Sequence, residues 1–215
     1  LAYWASGNLE EAYRSFADGL ARLQTGGGIL IMIGGSVILA EILKAQGQLR
    51  AAKSMFEEML KLSTPQNEPP LHGTAELYLG LSEIYREQGD LSAARDYLQK
   101  GEALREHASL PGYEYVWCAA QARLKEIDGD LDDTFKLIKE AERLYYKSPI
   151  PDARPVAAMK ARMWAAHDKL PEAGLWVRER ALTVDDDLSY LHEYEHITLA
   201  RILMAQYRST QDASY

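Results

Sequence analysis

Two histidines four residues apart, the first followed directly by a glutamate, stand near the end of the chain: His192-Glu193-Tyr194-Glu195-His196. On a helix this spacing puts both imidazoles on one face, where they can hold zinc while the glutamate activates a bound water. Such a centre needs a third protein ligand. Leu199 stands where an extended form of the motif would lead on to another His, neither His nor Glu follows His196, and Asp212 is the one later carboxylate. His196 also falls at a large position of a repeated helix pattern described below, where packing accounts for it. The residues therefore predict no metal site and no catalysis.

Other reactive groups give weaker signals. Thr25-Gly26-Gly27-Gly28 is glycine-rich but lacks the lysine and hydroxyl of a phosphate loop, and it reads as a turn. The single cysteine, Cys118, lies between Trp117 and Ala119-Ala120, which predicts a buried, inert thiol. One cysteine allows neither an internal disulfide nor a multi-cysteine metal centre, and it fits a reducing, intracellular compartment. His72 and His107 lie in or near connecting segments, where a solvated ring is expected. The chain carries 32 acidic and 24 basic residues, a net charge of −8, which disfavours direct contact with nucleic acid. The longest apolar run, Ile29 to Ala40, is too short to cross a bilayer and is broken by Gly34-Gly35-Ser36. It reads as a buried helix with small residues for close packing. No signal peptide is visible, and the chain opens without a methionine, directly before the first repeat, as a piece of something larger would.

What must position all of these groups is a repeat. Gly7-Asn8-Leu9-Glu10-Glu11-Ala12 returns as Gly47-Gln48-Leu49-Arg50-Ala51-Ala52, Gly89-Asp90-Leu91-Ser92-Ala93-Ala94 and Gly129-Asp130-Leu131-Asp132-Asp133-Thr134. A worn fifth copy is Asp168-Lys169-Leu170-Pro171-Glu172-Ala173. The leucines step by 40, 42, 40 and 39 residues. A period in this range marks a stacked array of small units. Before each phrase, apolar residues recur at helical spacing, as in Leu77, Tyr78, Leu81, Ile84 and Tyr85. The glycine ends that helix in a left-handed conformation, Asp90 caps the next, and Leu91, Ala94, Leu98, Gly101 and Leu104 form its stripe.

The leading helices read Ser36-Leu39-Ala40-Leu43, Tyr78-Leu81-Ser82-Tyr85, Trp117-Ala120-Gln121-Leu124, Ala157-Lys160-Ala161-Trp164 and His196-Leu199-Ala200-Leu203. This pattern resembles the tetratricopeptide repeat, with a period near 40 in place of 34. The fourth copy fits if its turn is one residue longer. The fold expected is all-α: an α-α superhelix of tetratricopeptide-like hairpins over residues 1–215, with about five hairpins and partial repeats at both ends. Leading helices line the groove of such an array. The groove-facing position two after the Leu would hold Glu41, Glu83, Ala122, Arg162 and Arg201, with Tyr115, Tyr194 and Thr198 pointing the same way. A sugar, a peptide or another polar metabolite would suit that lining.

Longer stretches point to one family. Leu131-Asp132-Asp133-Thr134-Phe135-Lys136-Leu137-Ile138-Lys139-Glu140-Ala141-Glu142-Arg143-Leu144 resembles part of the superhelical region of MalT-type activators, the large ATP-dependent regulators of the LuxR family. So do Ser148-Pro149-Ile150-Pro151-Asp152 and Ala157-Ala158-Met159-Lys160-Ala161-Arg162. The run Asp185-Asp186-Asp187-Leu188-Ser189-Tyr190-Leu191-His192-Glu193-Tyr194-Glu195-His196-Ile197-Thr198-Leu199-Ala200-Arg201 is similar to a family segment in which the first histidine is usually Arg. The resemblance implies a middle, sensing segment that receives a small-molecule effector or a regulatory protein. It further implies ATP only in a missing N-terminal domain and DNA contact only through a missing C-terminal domain. No cofactor is expected in this segment, and no membrane. Self-association is a further expectation, as is a cytoplasmic location. A general protein-interaction scaffold is the alternative.

Overall fold

A computed structural model of the chain describes residues 1–24, 28–66, 68–148 and 150–212. The Thr25-Gly26-Gly27 part of the predicted glycine-rich turn, Pro149, and the side chains of Leu23 and Asp212 lie outside the described residues. The described residues form eleven α-helices and no strand: α1 (Ala2–Ala5), α2 (Leu9–Gln24), α3 (Ile29–Ala45), α4 (Leu49–Ser63), α5 (Thr74–Glu87), α6 (Leu91–Ala103), α7 (Tyr113–Ile127), α8 (Leu131–Arg143), α9 (Val156–Ala166), α10 (Leu170–Glu179) and α11 (Glu193–Asp212). A short 3-10 turn, Arg105–His107, follows α6. None of these helices is long and apolar enough to cross a membrane.

The chain divides into two compact units. One comprises Leu1–Trp4 and Asn8–Lys147, the other Ala5–Gly7 and the chain from Ser148. In the first, α3 and α4, α5 and α6, and α7 and α8 pack as hairpins, and α5 contacts both α3 and α7. In the second, α9 packs on both α10 and α11.

Each hairpin turn is built the same way. The last amides bond back to Ile42 and Leu43 from Gln46 and Gln48, to Ile84 and Tyr85 from Gln88 and Asp90, and to Leu124 and Lys125 from Asp128 and Asp130. In the second unit His167 and Lys169 repeat this with Met163 and Trp164. Between each pair sits one left-handed residue, Gly47, Gly89, Gly129 or Asp168. The leftover carbonyls of one helix are satisfied while the chain reverses. Asp90 and Asp130 then cap the following helices by accepting the amides of Ala93 and Asp133.

Identical turns correct one expectation: the fourth copy is not one residue longer. Counting back from the left-handed residue, its leading positions are Cys118, Gln121, Ala122 and Lys125, one residue later than the sequence pattern suggested. The small position, seven before the turn, is then Ala40, Ser82, Ala122 and Ala161, each at most 1% exposed. Here the trailing helix makes its close approach, as Ser82 Oγ shows by donating to Ala94 O at 2.8 Å.

The trailing helices bury the second half of the repeat phrase. Ala12, Ala52, Ala94 and Ala173 are at most 1% exposed, and Phe56 and Ile138 are fully buried. Thr134 stands in for Ala, and its hydroxyl is satisfied inside its own helix by Asp130 O at 2.7 Å. The apolar run at the start of α3 is a packed helix: an added Cβ at Gly35 would stand 2.6 Å from Leu20 Cδ1. A second close approach lies where Gly80 meets Phe56 of α4, whose Cζ would be 2.4 Å from a Cβ at that position.

Candidate functional site

The position expected to face a groove lies six residues before each turn. In the first unit it holds Glu41 on α3, Glu83 on α5 and Arg123 on α7. The expected Ala122 is instead the buried small residue one place earlier. Arg123 is thus a site residue the sequence reading missed, and constant turn length is the signal that finds it. Its guanidinium meets the Glu83 carboxylate at 2.6 Å, and Arg86 approaches the same oxygen at 3.4 Å. Burial alone would push the Glu83 carboxyl up, but Arg123, then Arg86 and Lys44, hold it below the usual carboxylate range. Glu83 is 7% exposed, so it ties repeats together. Glu41 is half-buried and accepts a bond from Lys44 Nζ at 2.7 Å.

Tyr115 sits two turns earlier on α7, about 12 Å along the axis from Arg123. Its ring meets Tyr145 edge-on at 5.3 Å between centres. It packs over Gly112, where an added Cβ would approach its Cε1 to 2.7 Å. Glu41, Glu83 and Arg123 therefore form a charged row, and Tyr115 belongs to an aromatic corner away from it.

In the second unit, Arg162 on α9 lies over the Tyr194 ring of α11, its guanidinium carbon 5.9 Å from the ring centre. Thr198 is fully buried and donates to Tyr194 O at 2.8 Å, so it closes its own helix turn and does not face a groove. Arg201 is exposed. Arg162 and Tyr194 are thus brought together, Arg201 lies about two turns further on the same helix, and Thr198 is excluded.

The histidine pair is taken up by other bonds. α11 begins at Glu193, so His192 lies just outside it and meets Ser189 Oγ through Nδ1 at 3.0 Å. His196 is engaged at both nitrogens, by His192 O at 2.9 Å and by Asp186 Oδ2 at 3.2 Å. Asp186 in turn accepts from the Thr183 amide at 2.8 Å and from its hydroxyl at 2.6 Å. The Thr183 hydroxyl, its amide and then His196 hold the Asp186 carboxyl below its ordinary range. Glu195 is 2% exposed and paired with Arg180 at 2.5 Å. Among the described residues, no three His, Cys, Asp or Glu side chains gather as a metal site would require. His196 thus fastens the Thr183–Ser189 loop to α11.

Beside that loop, α11 borders a groove of about 640 Å³, walled by Val184, Leu188, Ile197, Leu199, Ala200 and Leu203. The sequence reading missed it because its loop wall follows no helical period. Elsewhere, Cys118 is buried, and burial pushes its thiol up. The expectation for His107 needs correction: the ring is half-buried, its Nδ1 is enclosed, and it lies 5.5 Å from His72 between ring centres. The segment after Arg105–His107 folds over the start of α5, where Glu76 accepts the amides of Ser109 and Leu110, each at 2.6 Å.

Antiparallel hairpins of constant turn, a buried small residue in each leading helix and a charged row beside it define a tetratricopeptide-like helical repeat. The family model described as the MalT-like TPR region matches residues 1–214, and the chain belongs to that family. Curated proteins give no significant match to the chain.

Proposed function

We propose that this chain is the effector- and partner-binding sensor region of a cytoplasmic, MalT-like regulator of the LuxR family. It acts by binding, with no catalysis and no cofactor of its own. The observation that carries this reading is the MalT-like TPR match over residues 1–214. Arg162, Tyr194 and Arg201 are the contacts proposed for the effector, because they present cations and a ring on half-buried or exposed positions. Glu41 and Glu83 already have cationic partners and serve the scaffold. ATP binding and DNA contact are assigned to other parts of such a regulator, and the net charge of −8 supports keeping nucleic acid away from this segment.

An effector works here only by binding one state of the regulator better than another. The test is a thermal-shift screen of small sugars, amino acids and aromatic metabolites, since a ligand of the folded state raises its melting point. A hit whose shift disappears in Arg162→Glu or Arg201→Glu supports the reading. A hit indifferent to both removes these residues from the site. No hit across the three classes favours the scaffold alternative, in which protein segments are the ligands.

A further inference from the structure

Both ring nitrogens of His196 point at oxygens that can only accept. Nδ1 lies 2.9 Å from the His192 carbonyl, and Nε2 lies 3.2 Å from Asp186 Oδ2. A neutral imidazole carries one N–H, so it satisfies one of these oxygens and turns a lone pair on the other. The imidazolium carries two and satisfies both. Water offers the ring little relief, since its side chain is 13% exposed.

The far end of this bond is held just as closely. Asp186 accepts the Thr183 amide and hydroxyl, and the Asp185 amide reaches Thr183 Oγ1 at 3.3 Å. Residues 183–186 are thus a closed hydrogen-bonded turn, which Nε2 ties to α11. Apolar burial gives the turn little hold, because its Val184 is 76% exposed. The other charged groups around it are engaged elsewhere or exposed. On α11 itself Glu195 pairs with Arg180, which follows α10, and Arg162 of α9 lies over Tyr194. Asp185, Asp187 and Glu193 are exposed, and His192 turns its own Nδ1 to Ser189 Oγ.

We propose that His196 is a proton-operated latch between this turn and α11. With both nitrogens protonated, the ring holds the turn against the helix. When Nε2 loses its proton, the bond becomes a contact between two acceptors and the turn comes away. The closed latch binds one more proton than the open one, so opening is favoured as pH rises, by up to about tenfold per pH unit. The Asp186 carboxyl, held below its ordinary range by Thr183 and then His196, stays ionised above about pH 5. The response between about pH 5 and 8 therefore belongs to the histidine. The device acts on this one connection and leaves the stack of hairpins intact. It does not depend on any small effector.

Two measurements on the whole chain test it. Nitrogen-15 spectra of the imidazoles at about pH 5.5 should show His196 protonated at both positions. Hydrogen exchange of the Thr183 amide, corrected for its intrinsic rate, should show opening about tenfold more frequent at about pH 8 than at about pH 5.5. In His196→Gln the amide should open equally at both values, and in His192→Gln it should behave as in the native chain. Helical circular dichroism and melting will show that each variant is folded, and the spectra of the native chain need no variant. A His196 ring with a single proton at the lower pH, an opening that does not change with pH, or a pH response that survives in His196→Gln overturns the inference.

Discussion

Glu83 and Arg123 hold corresponding places on α5 and α7 and meet at 2.6 Å. One position of a repeat therefore grips the same position of the next. Arg123 has its Nε enclosed without a hydrogen bond, and it meets its carboxylate partner through Nη2. Removing one member of a buried pair leaves the other charge uncompensated, while replacing both by apolar groups is close to neutral. Glu83→Gln is expected to lower stability by about 3 kcal/mol in urea unfolding. The double variant Glu83→Leu with Arg123→Leu should recover most of that loss, and a double variant as unstable as the single one would count against the pairing.

The same pair sets an acid response. The Glu83 carboxyl is depressed in the folded chain, so its contribution is complete above its ordinary value and is lost as pH falls through the depressed one. The stability difference between the native chain and Glu83→Gln should be level from pH 6 to 8 and shrink below about pH 4. Urea midpoints across this range measure it. A difference that grows toward low pH would reverse the sign and refute the assignment.

Gly80 tests the contact between α4 and α5. Alanine is the better helix former by about 1 kcal/mol. Overpacking costs about 1–3 kcal/mol, and Phe56 is fully buried with no room to give. The clash should win, with Gly80→Ala melting several degrees lower. Phe56→Leu in the same chain should relieve part of the loss, because it removes the ring edge that a Cβ would strike.

Asp168 takes the left-handed turn position that glycine fills in three other hairpins, at φ +57°. A side chain there is strained by about 1 kcal/mol. Asp168→Gly should raise the melting point by a few degrees, and Asp168→Val should lower it. An unchanged melting point in both variants would mean that the turn carries no such strain.

His196 supplies a fifth test. Zinc must displace Asp186 or the His192 carbonyl to reach its ring. Isothermal titration should show no zinc binding tighter than about 1 μM. Stoichiometric binding below that, abolished in His196→Ala, would restore the zinc-site reading.

The repeat was legible because a left-handed residue, a leucine and a small residue recur at nearly constant spacing, and each has one physical task. The register of the fourth copy was not. Ala120 and Ala122 are both small and both fully buried, and the turn bonds from the Asp128 and Asp130 amides to Leu124 O and Lys125 O choose between them. That one-residue slip hid Arg123. The burial of Thr198 was equally hidden, since a hydroxyl that bonds to its own helix can lie inside or outside with the same sequence. Glu41 and Glu83 do stand at the same place of their repeats, six residues before the left-handed turn residue. What the pattern could not reveal is that neighbouring charges satisfy one another, because partner choice depends on how two helices lie side by side.

Residues 83 and 123 are forty positions apart in the chain, yet a change of charge at either leaves a buried partner uncompensated two helices away.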